Sequence, residues 1–98
     1  MKFGLKEADF LYIQTVLKRH LPTDAKVYVF GSRARGDHQE FSDLDLMIES
    51  EEDLSQKVGM IREEFEEGSL AIKVDIIELR DFAKSYMGNY LEEKTLIS

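Results

Sequence analysis

At 98 residues the chain has room for one domain (1–98) with a modest core, and no Pro-rich stretch, repeat or composition shift marks a linker or a second unit. It has no cysteine, which excludes disulfides, thiolate metal sites and a cysteine nucleophile. Its 13 Lys and Arg against 20 Asp and Glu give a net charge of −7, all of it carried by residues 49–98, and so acidic a surface disfavours a nucleic-acid template. No run is apolar and long enough for a signal peptide or a membrane span, so the expectation is a cytoplasmic protein.

In chain order, Phe10, Ile13, Leu17 and Leu21 recur at helical spacing, which predicts a helix over Glu7–His20 stopped by Pro22. The β-branched and aromatic run Val27, Tyr28, Val29, Phe30 predicts a first strand over Lys26–Phe30. A short helical turn is expected after Ser32, its N–H groups and positive dipole end available to an anion. A second strand is predicted over Leu44–Glu49. Ser50 is placed to cap a second helix with the stripe Leu54, Val58, Ile61 and Phe65, closed by Gly68. A third strand is expected over residues 70–79. A third helix is expected over residues 81–93 with Phe82, Tyr86 and Tyr90 on one side, then a short apolar tail of Leu96 and Ile97. The fold class is α/β, a small mixed sheet flanked by helices.

Two motifs carry chemistry. Gly31 and Ser32 follow the first strand directly, where a glycine lets backbone N–H groups approach a phosphate closely and the serine adds a hydroxyl donor. Asp43 and Asp45 lie two apart in extended chain, so their carboxylates share a face. Two carboxylates that close raise each other's pKa unless a cation lies between them, and hard oxygen ligands suit Mg²⁺ or Mn²⁺.

The order Gly31-Ser32-Arg33-Ala34-Arg35-Gly36, then Asp43-Leu44-Asp45, then Asp75 inside an apolar run, resembles the minimal nucleotidyltransferases of the DNA polymerase β superfamily over about residues 27–79. The resemblance implies a polymerase β-like nucleotidyltransferase fold, with Asp43, Asp45 and Asp75 as catalytic residues and ligands of two Mg²⁺ ions. Gly31 and Ser32 would hold the β and γ phosphates of ATP or another nucleoside triphosphate. Arg33 or Arg35 would offset charge on the leaving pyrophosphate, with Arg35 favoured; either could instead pair with Asp37, Glu40 or a partner. His38 matches no ligand position of the family and reads as an exposed loop residue, while His20, Tyr86 and Tyr90 read as helix-end or packing residues.

The resemblance also implies a partner, since minimal members act alongside a small all-helical HEPN-type ribonuclease toxin in a hetero-oligomer. On this reading the protein is an antitoxin that transfers AMP from ATP to a tyrosine of the toxin. Two alternatives stand beside it: an antitoxin that binds and occludes without catalysis, and a small-molecule transferase of the aminoglycoside-modifying kind.

Overall fold

The computed structural model describes residues 2–97. Its centre is one mixed sheet of four strands, β1 (Lys26–Phe30), β2 (Leu44–Glu49), β3 (Val74–Glu78) and β4 (Thr95–Leu96), in the order β3-β2-β1-β4. β1 runs antiparallel to β2, with Val27 opposite Ile48 and Phe30 opposite Asp45, while β2 and β3 are parallel, with Asp45 beside Asp75. The helices are α1 (Glu7–His20), α2 (Ser32–Arg35), α3 (Ser55–Glu67) and α4 (Met87–Glu93).

The period-2 alternation divides the sheet into two unlike faces. Val27, Val29, Leu44, Leu46, Ile48 and Ile76 form one face. It is covered by the apolar stripes of α1 (Ile13, Val16, Leu17) and α3 (Val58, Ile61, Phe65), and this is the main core. Phe30, Asp45, Met47, Glu49 and Asp75 alternate with those residues and lie on the opposite face. There Met47 is fully buried, and the rings of Phe30, Phe82 and the fully buried Tyr90 form a second, smaller cluster, meeting edge to face with centroids 5.5 to 5.8 Å apart. One face therefore supplies the main core. The other carries the titratable groups.

Glu64 ties α1 to α3: its carboxylate accepts from Arg19 Nη1 at 2.7 Å and lies 2.6 Å from His20 Nε2, and its carbonyl accepts from Tyr12 Oη at 2.8 Å. The His20 and Arg19 hydrogen bonds hold this carboxyl below the usual range.

The structure departs from the predicted secondary structure and capping at four places. Ser50 does not cap α3; its hydroxyl accepts from Glu52 N, and the first amides of α3 are met instead by Glu78, which accepts from Leu54 N, and by Asp53, which accepts from Ser55 N. The third strand begins at Val74, because its neighbour β2 begins at Leu44 and upstream residues have no strand to pair with. The expected helix over 81–93 is broken: turns at Leu79–Asp81 and Lys84–Tyr86 flank an extended Phe82 and Ala83, and only Met87–Glu93 is helical. The extended pair carries the Phe82 ring onto Phe30 and Tyr90, a tertiary gain that outweighs helix propensity. The apolar tail forms β4 on the free edge of β1, where Ile97 N donates to Val27 O at 2.9 Å and the Ile97 side chain enters the main core.

Gly68 ends α3 as expected, with an extended backbone (φ −75°, ψ 171°) and for a steric reason. A Cβ there would lie 2.7 Å from Tyr12 Oη and disturb the Tyr12–Glu64 hydrogen bond. Gly59, inside α3, has nothing within 4 Å of the corresponding position. The same substitution should thus act with opposite signs. Gly68→Ala should cost about 1–2 kcal/mol by overpacking, and Gly59→Ala should stabilise by about 0.5–1 kcal/mol through helix propensity and unfolded-state entropy, both read from urea unfolding midpoints.

Candidate active site

The site starts at the end of β1. Gly31 adopts φ +77°, ψ −157°, a conformation open in practice to glycine alone, and a Cβ there would lie 2.5 Å from Asp45 Oδ2. The backbone of the turn therefore rests directly on the first carboxylate of β2. Ser32 opens α2 immediately afterwards, and Gly31 O accepts from both Ala34 N and Arg35 N at 3.1 Å, which fixes that single turn. Gly36 closes it at φ +86° with its N–H on Ser32 O.

Asp45 and Asp75 are register partners on adjacent parallel strands, and Asp43 stands exposed two residues before Asp45 at the start of β2. Burial pushes the Asp45 carboxyl above its usual range, and the negative charges of Asp75, Asp43 and Glu93 push it further, with Arg35 offsetting a part. Asp75 has Lys73 Nζ at 3.5 Å across an exposed edge. Among the described residues no three ligating side chains are drawn to the spacing that closes round one ion. What is present is a set of hard oxygen donors whose mutual repulsion a divalent cation would relieve.

The two arginines of α2 part ways. Arg33 is 3% exposed, and its guanidinium donates to three backbone carbonyls: Nε to Ser42 O (2.9 Å), Nη1 to Phe3 O (2.8 Å) and Nη2 to Glu40 O (3.0 Å). It clamps the loop between α2 and β2 to the segment preceding α1. Arg35 lies at the surface on the site side, donating to Asp37 Oδ2 at 3.1 Å and to Glu93 Oε2 at 3.0 Å. His38 is half-buried rather than an exposed loop tip: its ring packs against Gly4 and its Nδ1 is buried without a hydrogen-bond partner among the described residues.

One site residue was absent from the sequence reading. Glu93, the last residue of α4, accepts from Gly31 N at 2.9 Å with Oε1, so its carboxylate lies on the amide at the mouth of the turn. It is 62 residues from Gly31 and belongs to no recognisable motif; only the path of α4 across the sheet brings it there.

A glycine turn laid on one strand carboxylate, with a second beside it in register, fits one class of enzyme, the nucleotidyltransferases. The chain belongs to the Nucleotidyltransferase domain family, which it matches over residues 12–97. It is 36% identical over 78 residues, spanning 79% of this chain and 68% of the relative, to the Haemophilus influenzae protein named "Probable protein adenylyltransferase MntA". In fold it is similar to a chain of the crystal structure of a toxin–antitoxin with AMP-PNP, at TM-score 0.73 and 19% identity over 92% of this chain and 73% of that one. It is also similar to a chain of the tri-AMPylated Shewanella oneidensis HEPN toxin in complex with MNT antitoxin, at TM-score 0.69 and 16% identity over 96% of this chain and 72% of that one. At these identities the two structures speak to the fold. The enzymes of this family generally work with a divalent metal, and the donor chemistry of Asp43, Asp45 and Asp75 suits one.

Two outcomes follow from this geometry. Arg33→Lys should lose about 2–3 kcal/mol in urea unfolding, since one ammonium cannot reach three diverging carbonyls. Asp45, being raised, is harder to ionise folded than unfolded; the cost sets in above the unfolded carboxylate pKa and grows as pH rises through the folded one. Asp45→Asn should therefore raise the melting temperature of the metal-free protein by a few degrees at neutral pH in calorimetry.

Proposed function

We propose that this domain transfers AMP from ATP to a tyrosine hydroxyl of an HEPN-type toxin partner, and acts as its antitoxin. The carrying observation is the seating of Gly31 on the Asp45 carboxylate, which supports reading the turn as a phosphate cradle beside a metal-ligand carboxylate. The choice of acceptor is supported by the relatives, one named as a protein adenylyltransferase and two fold neighbours solved as toxin–antitoxin assemblies, one with AMP-PNP and one with an AMPylated HEPN toxin.

In this reading the Gly31 N–H and the Ser32 hydroxyl grip the β and γ phosphates, and Arg35 offsets charge that builds on the departing pyrophosphate. Asp43 and Asp45 would hold the Mg²⁺ that accompanies the triphosphate, and Asp75 would complete the shell of a second Mg²⁺ toward the acceptor. Bound there, such cations neutralise phosphate charge and acidify the attacking hydroxyl. The tyrosine oxygen bonds to the α-phosphorus as the bond to pyrophosphate breaks, and Asp75 takes up the tyrosine proton. Asp75 suits that role because β3 is the edge of the sheet, where a bulky protein acceptor can approach from the side.

The test mixes the protein with its helical partner, ATP and Mg²⁺ and looks by mass spectrometry for an adenylyl group on a tyrosine. Asp43→Asn should lower transfer by roughly a hundredfold or more, and the double change with Asp45→Asn should be hardly worse, as expected of groups that act as a unit. Asp75→Asn should keep ATP binding and lose transfer. Equal suppression of the toxin by wild type and Asp43→Asn, with no adduct in either, would establish occlusion in place of catalysis.

A further inference from the structure

Glu93 occupies the cradle that the triphosphate needs. Its Oε1 accepts from Gly31 N at 2.9 Å and its Oε2 accepts from Arg35 Nη1 at 3.0 Å, and the side chain is only 15% exposed. These two donors are the amide and the guanidinium that the nucleotide reading assigns to phosphate oxygens. A carboxylate with both oxygens engaged by an N–H and a guanidinium presents the acceptor pattern of a phosphate edge.

The placement is built into the fold. Three residues earlier, Tyr90 is fully buried among Phe30 and Phe82 and donates to Glu49 Oε2 at 2.5 Å. The next residue, Lys94, donates to the same oxygen at 3.0 Å and lies 4.4 Å from the centre of the Tyr28 ring. Burial pushes the Glu49 carboxyl up, but these two hydrogen bonds and the charges of Lys94 and Lys26 together outweigh it and hold it below its usual range, so it stays a charged anchor. Glu93 stands between two fixed points. The segment does not need Glu93 to stay in place, since Tyr90, Lys94 and the β4 pairing with β1 already hold it.

Energetically Glu93 is poorly placed for anything except those two donors. It adds a further negative charge to the group around Asp45, where Asp43 and Asp75 already repel. We propose that Glu93 is an internal competitor for the phosphate cradle: its carboxylate covers the Gly31 amide and Arg35 in the nucleotide-free protein, and the triphosphate must displace it, so that Glu93 sets nucleotide affinity. The proposal rests on the nucleotide reading of Gly31 and Arg35. Displacement frees no unpaired cation, because Arg35 passes from one anion to another and also keeps Asp37. It moves a side chain, with the anchors on either side unchanged.

The experiment measures binding of ATP and of inorganic tripolyphosphate, each with Mg²⁺, by titration calorimetry to the wild type, Glu93→Ala and Glu93→Gln. Glu93→Ala should bind both probes about tenfold more tightly, and Glu93→Gln by a smaller factor, because glutamine still accepts from Gly31 but gives up the ionic hold on Arg35. Equal or weaker binding by Glu93→Ala, with the wild type binding normally, overturns the competitor and leaves the nucleotide site standing. Failure of all three proteins to bind either probe overturns the nucleotide reading itself and the competitor with it. A readout that needs no variant is the side-chain carboxyl ¹³C resonance of Glu93 in the wild type. It should shift as tripolyphosphate is added; a resonance that stays put while the probe binds overturns the proposal.

Discussion

Between the turn at Gly31 and the carboxylate of Asp45 there is no room for a side chain, and much of the site's geometry follows from that contact. It requires glycine, for space and for a positive φ, and it sets the start of α2 against the carboxylates. The contact in turn depends on register, since Phe30 stands opposite Asp45 only if β1 and β2 pair as they do, and a slip by one residue would turn Asp45 into the aliphatic core. The same core drives that register. Val27, Val29, Leu46 and Ile48 all reach the core face only in pairings of this parity, so the apolar face decides which face carries the charges.

The charged face carries a cost. Asp45 is partly withdrawn from water among like charges, which is unfavourable until a cation arrives, and the protein offsets it with two separate sources of stability. One is the α1–α3 layer over the opposite face of the sheet. The other is the aromatic cluster of Phe30, Phe82 and Tyr90 beside the site, with Met47 buried on the same face. Repulsion and a glycine-only backbone conformation are concentrated at the proposed site, which is the arrangement expected of a site prepared for a cation and a triphosphate in advance.

Much of this was legible in the sequence because it is local. α1, β1 and β2 have clear periodicity and are ended by Pro22, Gly31 and a loop of polar residues, and the Gly31, Ser32, Asp43, Asp45 pattern is short in sequence as well as in space. What could not be read is non-local. Arg33 and Arg35 are the same residue type two apart on a single helical turn, and only the loop's path to Ser42 and Phe3 decides which of them is buried. Phe82 breaks a predicted helix to reach the ring of Phe30, far upstream on β1, as well as that of Tyr90. β4 is two residues long, too short for any alternation to register, and exists because β1 has a free edge to cover. Glu93 reads as one more acid near the end of an acidic half, and its meaning depends on a helix crossing to the other end of the site.

That crossing links the last segment of the chain to its chemistry. β1 ends in the cradle, and its outer edge is paired by β4, so α4 and β4 form a strap running from the aromatic cluster past Gly31 and back along the strand that delivers it. Lys94 and Tyr90 bind the strap to Glu49 on β2, the strand that begins beside the proposed catalytic carboxylates. A shift of the strap would move the element that carries Glu93. The effect would pass through packed side chains and a shared strand, and it requires only that Glu93 has two places to be: on the Gly31 amide, or displaced from it by phosphate.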